Sequence, residues 1–260
     1  QFQLDYDILA KRSDQNEFGT LNRNTVNGAS SVDENIFTTK NQQPTSVNQN
    51  FAIYSTPSEK HVIAFETQHL YQNEDPFYNA NLALQPFSLT GYLSQSRSNL
   101  NQSRLVKTNK VDSKLDYYYM VTPKANLNLT LGNTYSYQSF NSGIYQILDN
   151  GATNALTASE NTNQVTYNFN DVFFGVHYKM LYKKFTFNPG VSFHYYNMNN
   201  VQLGTDFKQS FTRILPDFFA LYQIKKAESL TYNFAITNTF TDISRLAEGY
   251  IINNYNSLSS

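Results

Sequence analysis

The sequence predicts an all-β fold: an antiparallel up-and-down transmembrane β-barrel, present here as a segment of about nine strands. Three observations predict it. Over long stretches hydrophobic side chains recur at every second residue, the period of a strand with one greasy face and one wet one. Several stretches run beyond the roughly 9–11 residues that a tilted strand needs to cross a bilayer, whereas soluble strands cluster near 5–6. Long and short connections alternate strictly, so hairpin connections throughout would gather the long loops at one end of the sheet, as in bacterial outer-membrane barrels.

Taken in order, the first strand spans 1 to 12, where Phe2, Leu4, Tyr6, Ile8 and Ala10 alternate with Gln3, Asp5 and Asp7. A long polar stretch (13 to 48) leads to strands at 49 to 56 and 61 to 71, which flank the turn Pro57-Ser58-Glu59-Lys60. After a second long stretch (72 to 103), the strand at 104 to 121 sets Val111, Leu115, Tyr117 and Tyr119 against Lys110, Asp112, Lys114 and Asp116. The turn Thr122-Pro123-Lys124-Ala125 precedes the clearest alternation, 126 to 140, with Leu127, Leu129, Leu131, Tyr135 and Tyr137 on one face. A long stretch (141 to 163), a strand at 164 to 180 and a turn near Lys183-Lys184 follow. The strand at 185 to 197 alternates Phe185, Phe187, Val191, Phe193 and Tyr195 with Thr186, Asn188, Ser192 and His194. A medium stretch (198 to 210), a strand at 211 to 224, the turn Lys225-Lys226-Ala227-Glu228 and a strand at 229 to 241 complete the set, before a polar tail from Asp242. A membrane sheet must close on itself, because hydrocarbon offers no partner to an unpaired backbone group. The expectation is therefore that residues 1 to 260 belong to a single outer-membrane barrel domain, with further strands on both sides and neither a plug domain nor a signal peptide within this chain.

Composition excludes several classes. The 260 residues carry 19 basic and 20 acidic side chains, a formal net charge of −1, with no Cys and no Trp. Without Cys there is no disulfide framework, zinc ribbon or thiol nucleophile. No basic run exceeds Lys183-Lys184 or Lys225-Lys226, so nothing marks a nucleic-acid partner. The four histidines, His61, His69, His177 and His194, lack H-E-x-x-H spacing, and no metal site or cofactor is expected. There is no G-x-S-x-G elbow and no phosphate-binding glycine loop, so enzymatic activity is not expected. Gly132, Gly175 and Gly190 stand isolated in strands, where bends or bulges account for them.

Two sets of aromatics are the candidate functional positions. Tyr117, Tyr118, Tyr119, Tyr178, Tyr182, Tyr195 and Tyr196 lie near strand ends, where amphipathic rings suit the membrane interface. Phe18, Phe37, Phe77, Tyr78 and Phe87 are scattered through the long loops 13 to 48 and 72 to 103 among Asn, Gln, Ser and Thr, a mixture that suits a sugar or a peptide but is also the ordinary composition of a solvated surface loop with a few anchoring aromatics.

Residues Ile214-Leu215-Pro216-Asp217-Phe218-Phe219-Ala220-Leu221-Tyr222, then Lys225-Lys226, then Ser229-Leu230-Thr231-Tyr232-Asn233-Phe234, form a Leu-Pro strand, a basic turn and a Ser-Leu strand. In this pattern the chain resembles the outer-membrane β-barrel family of Bacteroidota, which is related to TonB-dependent receptors. Asp112 to Tyr119, the turn Thr122 to Ala125, and Leu127 to Tyr137 are similar to its repeated hairpins. The chain departs from the pattern at Ile243-Ser244-Arg245-Leu246, which has the family's Arg without its Pro. The resemblance implies a barrel of about 22 strands plugged by an N-terminal domain. It implies residence in the cell outer membrane, contact with its lipid, import of a nutrient driven by the TonB complex, and a surface lipoprotein as a further partner. The alternatives are an outer-membrane structural, assembly or adhesion protein without active transport, and a secreted all-β carbohydrate-binding module.

Overall fold

The computed structural model of the chain describes residues 1–27, 30–240, 243–246 and 248–260. Its strands are β1 (Phe2–Arg12), β2 (Gln15–Asn27), β3 (Ser30–Gln42), β4 (Thr45–Ser58), β5 (His61–Glu74), β6 (Phe77–Leu82), β7 (Ser98–Thr122), β8 (Ala125–Ile147), β9 (Thr153–Ala155), β10 (Thr162–Tyr182), β11 (Phe185–Gln202), β12 (Thr205–Lys225), β13 (Glu228–Ala235), β14 (Ile251–Asn254) and β15 (Ser257–Ser259). The main sheet runs β1-β4-β5-β7-β8-β10-β11-β12-β13, antiparallel throughout. This is the predicted up-and-down order. The sheet does not close: β1 and β13 are its edges.

Two-residue turns at Glu59-Lys60, Pro123-Lys124, Lys183-Lys184 and Lys226-Ala227 gather at one end, as the sequence predicts. The opposite end differs from expectation. Most of the stretch 13 to 48 is not loop but the hairpin β2–β3, and β3 pairs with β6, which pairs with the start of β7. Residues 198–202 and 205–210 are also strand. β11 and β12 pair up to Gln202 and Thr205 and reverse at Leu203-Gly204, whose φ values of 44° and 84° suit a two-residue hairpin turn. Between strands of the main sheet, among the described residues, the connections that remain long are 83–97 and much of 148–161.

Thus β2, β3 and β6 carry β1, β4 and β5 past a crease at Ser13-Asp14, Gln43-Pro44 and Asp75-Pro76. Proline has no N–H to give a ladder, which explains a break at the same level in adjacent strands. The crease is bonded across: Ser13 N donates to Pro44 O at 3.1 Å, Gln43 N to Asp75 Oδ1 at 2.8 Å and Arg104 N to Pro76 O at 2.9 Å. β13 stops at Ala235, short of the expected 241. Asp242 lies outside the described residues, as do the side chains of Ser244 and Arg245.

The register sorts the faces. Leu4, Ile53, Phe65, Leu115, Leu131, Phe174, Phe193 and Ile214 stand opposite one another across eight successive strands. Among the described residues no other element covers this row; Leu131 is 54% exposed and Ile214 62%. The neighbouring row on the other face reads Asp5, Ala52, Glu66, Lys114, Gly132, Phe173, His194 and Arg213. The buried core also lies on this second face, toward the long-loop end, where Ile36, Tyr78, Leu82, Leu100 and Ile144 meet Leu89 and Leu156 from the loops and Ile252 from β14.

Candidate functional site

The polar face is concave. On a flat sheet at about 4.8 Å per strand, β1 and β10 would lie about 24 Å apart, yet Asp5 and Phe173 line one cavity of about 680 Å³. Curvature follows from the normal twist and coil of a large antiparallel sheet. Period-2 alternation then turns concave-face side chains of six strands toward the hollow, among them Asp5, Asn50, Glu66, Lys114, Thr134 and Phe173.

The wall of this cavity is acidic. Asp5, Asp7, Glu66 and Asp112 line it with Lys114. Lys114 Nζ lies 3.0 Å from Asp116 Oδ2 and 3.5 Å from Glu66 Oε2, and Lys110 Nζ lies 2.9 Å from Asp112 Oδ2. Hydroxyls and amides satisfy the remaining oxygens: Tyr54 Oη donates to Glu66 at 2.7 Å, Thr134 Oγ1 to Asp112 at 2.6 Å and Asn50 Nδ2 to Asp7 at 2.8 Å. Five carboxylates against two ammonium groups leave the wall net negative, a hydrated surface that favours cationic and polar solutes.

A second hollow, about 580 Å³, is lined by Asp171, Ser192, His194, Tyr196 and Asp217 among others. His194 Nδ1 lies 2.9 Å from both oxygens of Asp171, and its Nε2 lies 3.0 Å from Ser192 Oγ. The imidazole stacks between Phe173 and Tyr196, with centroids at 4.9 and 5.4 Å. Serine, histidine and aspartate in this sequence form the series used in acyl transfer. Here, however, Ser192 sits mid-ladder between β10 and β12, so its backbone N–H is not free to hold an oxyanion. The series fixes the orientation of the ring. A parallel pair, His177 Nε2 to Asp217 Oδ2 at 2.9 Å, spans β11 by passing over Gly190. Histidine spacing in the sequence does not disclose these partners, which are adjacent only across strands.

The five loop aromatics do not converge. Phe18, Phe37 and Phe77 lie in β2, β3 and β6, in register positions on the convex face, not in loops; Phe18 is 78% exposed. Tyr78 of β6 is buried on the concave side, where burial pushes its hydroxyl up to about 12, and Phe87 in the loop 83–97 packs against the same core. Arg97 holds Phe37, its guanidinium 5.8 Å from the ring centroid. The register also divides the strand-end tyrosines. Tyr117, Tyr119, Tyr178, Tyr182 and Tyr195 share the apolar face. Tyr118 and Tyr196 fall on the polar face, Tyr118 opposite Asn128 and Tyr196 opposite Asp171, because neighbours in a strand point in opposite directions.

The loop 83–97 is held to the wall by carboxylates. Buried Glu34 accepts from Arg23 and from the backbone N–H groups of Ala83 and Leu84 at 3.1 and 3.2 Å. Burial alone would raise the Glu34 carboxyl, but Arg23 and the two amides outweigh it and hold the group below the usual carboxylate range. The N–H and hydroxyl of Ser96 depress the Asp149 carboxyl in the same direction.

No protein-family model and no curated protein matches the sequence. Among solved structures the chain is similar to the ferric citrate transporter FecA in its unliganded form (TM-score 0.40, 13% identity, 88% of this chain and 42% of that one). It is also similar to the siderophore receptor PiuA of Acinetobacter baumannii (0.38, 10%, 90% and 49%) and to the ferric-catecholate import receptor Fiu of E. coli K12 in its closed form (0.40, 11%, 89% and 50%). The chain spans half or less of the length of each. Likeness at this level assigns this chain neither a family nor a ligand.

Proposed function

We propose that this chain is part of the wall of an outer-membrane β-barrel transporter related to TonB-dependent receptors, taking up a polar nutrient through a hydrated interior. The observation that carries the reading is the uncovered apolar row of eight strands, backed by a charged row on the opposite, concave face. A soluble sheet buries its greasy face against a second layer and wets the other. This one leaves its greasy face uncovered and turns its polar face to the hollow, as a barrel does whose outside meets lipid and whose inside meets water. The four two-residue turns at one end accord with the periplasmic side of such a barrel, and the long connections 83–97 and 148–161 at the other, beside the tight Leu203-Gly204 turn, with its outer side. The unpaired edges of β1 and β13 would each cost several kcal/mol per free group in hydrocarbon. Closure by further strands removes that cost.

The Leu215-Pro216, Lys225-Lys226 and Ser229-Leu230 pattern supports the narrower reading of a TonB-coupled importer, with TonB and a surface lipoprotein as partners. Uptake assays on the native protein, in cells with and without TonB, test it. Loss of uptake without TonB is expected, and unchanged uptake would remove the coupled mechanism. Fractionation tests the location: the protein should partition with the outer membrane and migrate heat-modifiably, and recovery as a detergent-free soluble monomer would contradict it.

A further inference from the structure

Past the end of β13 the chain returns to the concave face, and residues 249–252 lie against its wall at the long-loop end. They do not join the main sheet. Side-chain carboxamides hold them instead. Gln102 Nε2 donates to Tyr250 O at 2.9 Å, and Gln102 Oε1 accepts from Ile252 N at 2.8 Å. Asn163 Nδ2 donates to Gly249 O at 3.2 Å, while its Oδ1 accepts from Gly249 N at 2.8 Å. Tyr250 N donates to Glu160 O at 2.6 Å.

These are the bonding patterns of strand pairing, made by side chains. Gln102 serves the C=O of one residue and the N–H two positions on, as a residue in a parallel ladder does. Asn163 exchanges both bonds with one residue, as a hydrogen-bonded antiparallel pair does. The two carboxamides satisfy four backbone polar groups of the segment and Glu160 O a fifth, all without reading a single side chain. Two further features set selectivity. A Cβ on Gly249 would stand 2.3 Å from Thr162 O, so that position admits only glycine. Three residues on, Ile252 enters the core cluster of Ile36, Leu100 and Ile144. Gln102 is 1% exposed in this arrangement, and its carboxamide has no other partner among the described residues.

We propose that Gln102 and Asn163, with the adjoining apolar cluster, form a binding cleft for an extended polypeptide, and that residues 249–252 occupy it in cis as a displaceable surrogate. The preferred ligand is an unstructured peptide with glycine followed three positions later by an aliphatic residue. Any occupant must offer extended backbone amides, which a sugar does not. The cleft stands on its own contacts, so its failure would leave the membrane assignment untouched.

The probe is a fluorescein-labelled heptapeptide, Glu-Gly-Tyr-Ile-Ile-Asn-Asn, copied from residues 248–254 and titrated against the native protein in detergent micelles by anisotropy. A tethered occupant competes at high effective concentration, so Gly249→Val, which cannot seat its own segment, should bind the peptide about tenfold or more tighter than wild type. Adding Gln102→Ala and Asn163→Ala should abolish that gain, and a probe with valine in place of its glycine should not bind. No gain in Gly249→Val, or a gain that survives loss of both carboxamides, overturns the proposal. Heat-modifiable migration verifies folding of each variant. The otherwise wild-type chain supplies a second measurement, because it has no cysteine of its own to label: a spin label on Asn253→Cys should become more mobile with excess peptide, and an unchanged spectrum would contradict displacement.

Discussion

Gly132 and Gly190 show what a missing side chain can do inside a ladder. The pairing passes through Gly132, Gly175 and Gly190 without a register shift, so the bulge that an isolated strand glycine suggests is absent at all three. Two of them are instead seats for rings. Phe173 lies over Gly132, and His177 lies over Gly190 to reach Asp217 on the strand beyond. A Cβ at Gly190 would meet His177 Cδ2 at 2.1 Å. Gly190→Val should therefore expel the imidazole, break its bond to Asp217 and cost about 1–3 kcal/mol by overpacking, read as a lower midpoint in denaturant with unchanged slope. At the same scale, Glu34 and Asp149 have folded-state pKa values below those of the unfolded chain. Their contribution is complete above the ordinary carboxylate value, near 4, and is lost as pH falls through the lower folded values. Proteolytic cutting within 83–97 should stay constant from pH 8 to 5 and rise only in stronger acid; a rise between pH 7 and 6 would point to other groups. None of these partnerships is legible in the sequence. Gly190 and Asp217 are twenty-seven positions apart, and register alone makes them neighbours.

Elements were legible wherever one face is apolar and the other polar. All nine strands of the main sheet were predicted in order, together with the four tight turns at one end though not the Leu203-Gly204 turn, because Leu127, Leu129 and Leu131 against Asn126, Asn128 and Thr130 is a signal of period 2. Beyond the crease that contrast fades. In β2 and β3 both faces carry Asn, Thr, Ser and charge, so a strand there has the composition of a loop, and only the partner across the ladder reveals it. For the same reason Phe18, Phe37, Phe77 and Tyr78 were expected in loops and stand in strands. The two faces of the main sheet should respond oppositely to charge. Leu131→Arg places a guanidinium in the apolar row and should cost about 2–4 kcal/mol in bilayer unfolding titrations. Gln68→Arg, among Asp7, Glu66 and Asp112 on the concave wall, should stay within about 0.5 kcal/mol of wild type. Equal effects would mean that the faces are not distinguished by their surroundings.

For the whole molecule, the up-and-down order, the loop sorting and the inverted placement of greasy and charged faces all favour a curved wall between lipid and water. The alternating rows were readable from sequence; the curvature that joins Asp5 and Phe173 in one hollow was not, since it depends on twist accumulated over several strands. The return of residues 249–252 to the concave face was equally hidden, because carboxamide contacts carry no periodicity. The central claim is that hydrocarbon covers the row from Leu4 to Ile214, and the absence of tryptophan from the chain makes it directly measurable. Single tryptophans at Leu131, Phe174 or Phe193, and separately at Gln68 or Ser192, can be compared in vesicles whose lipids are brominated along the acyl chains. Strong quenching at the first three positions with little at the other two is the predicted result; equal quenching of both sets, or quenching confined to Gln68 and Ser192, would contradict it.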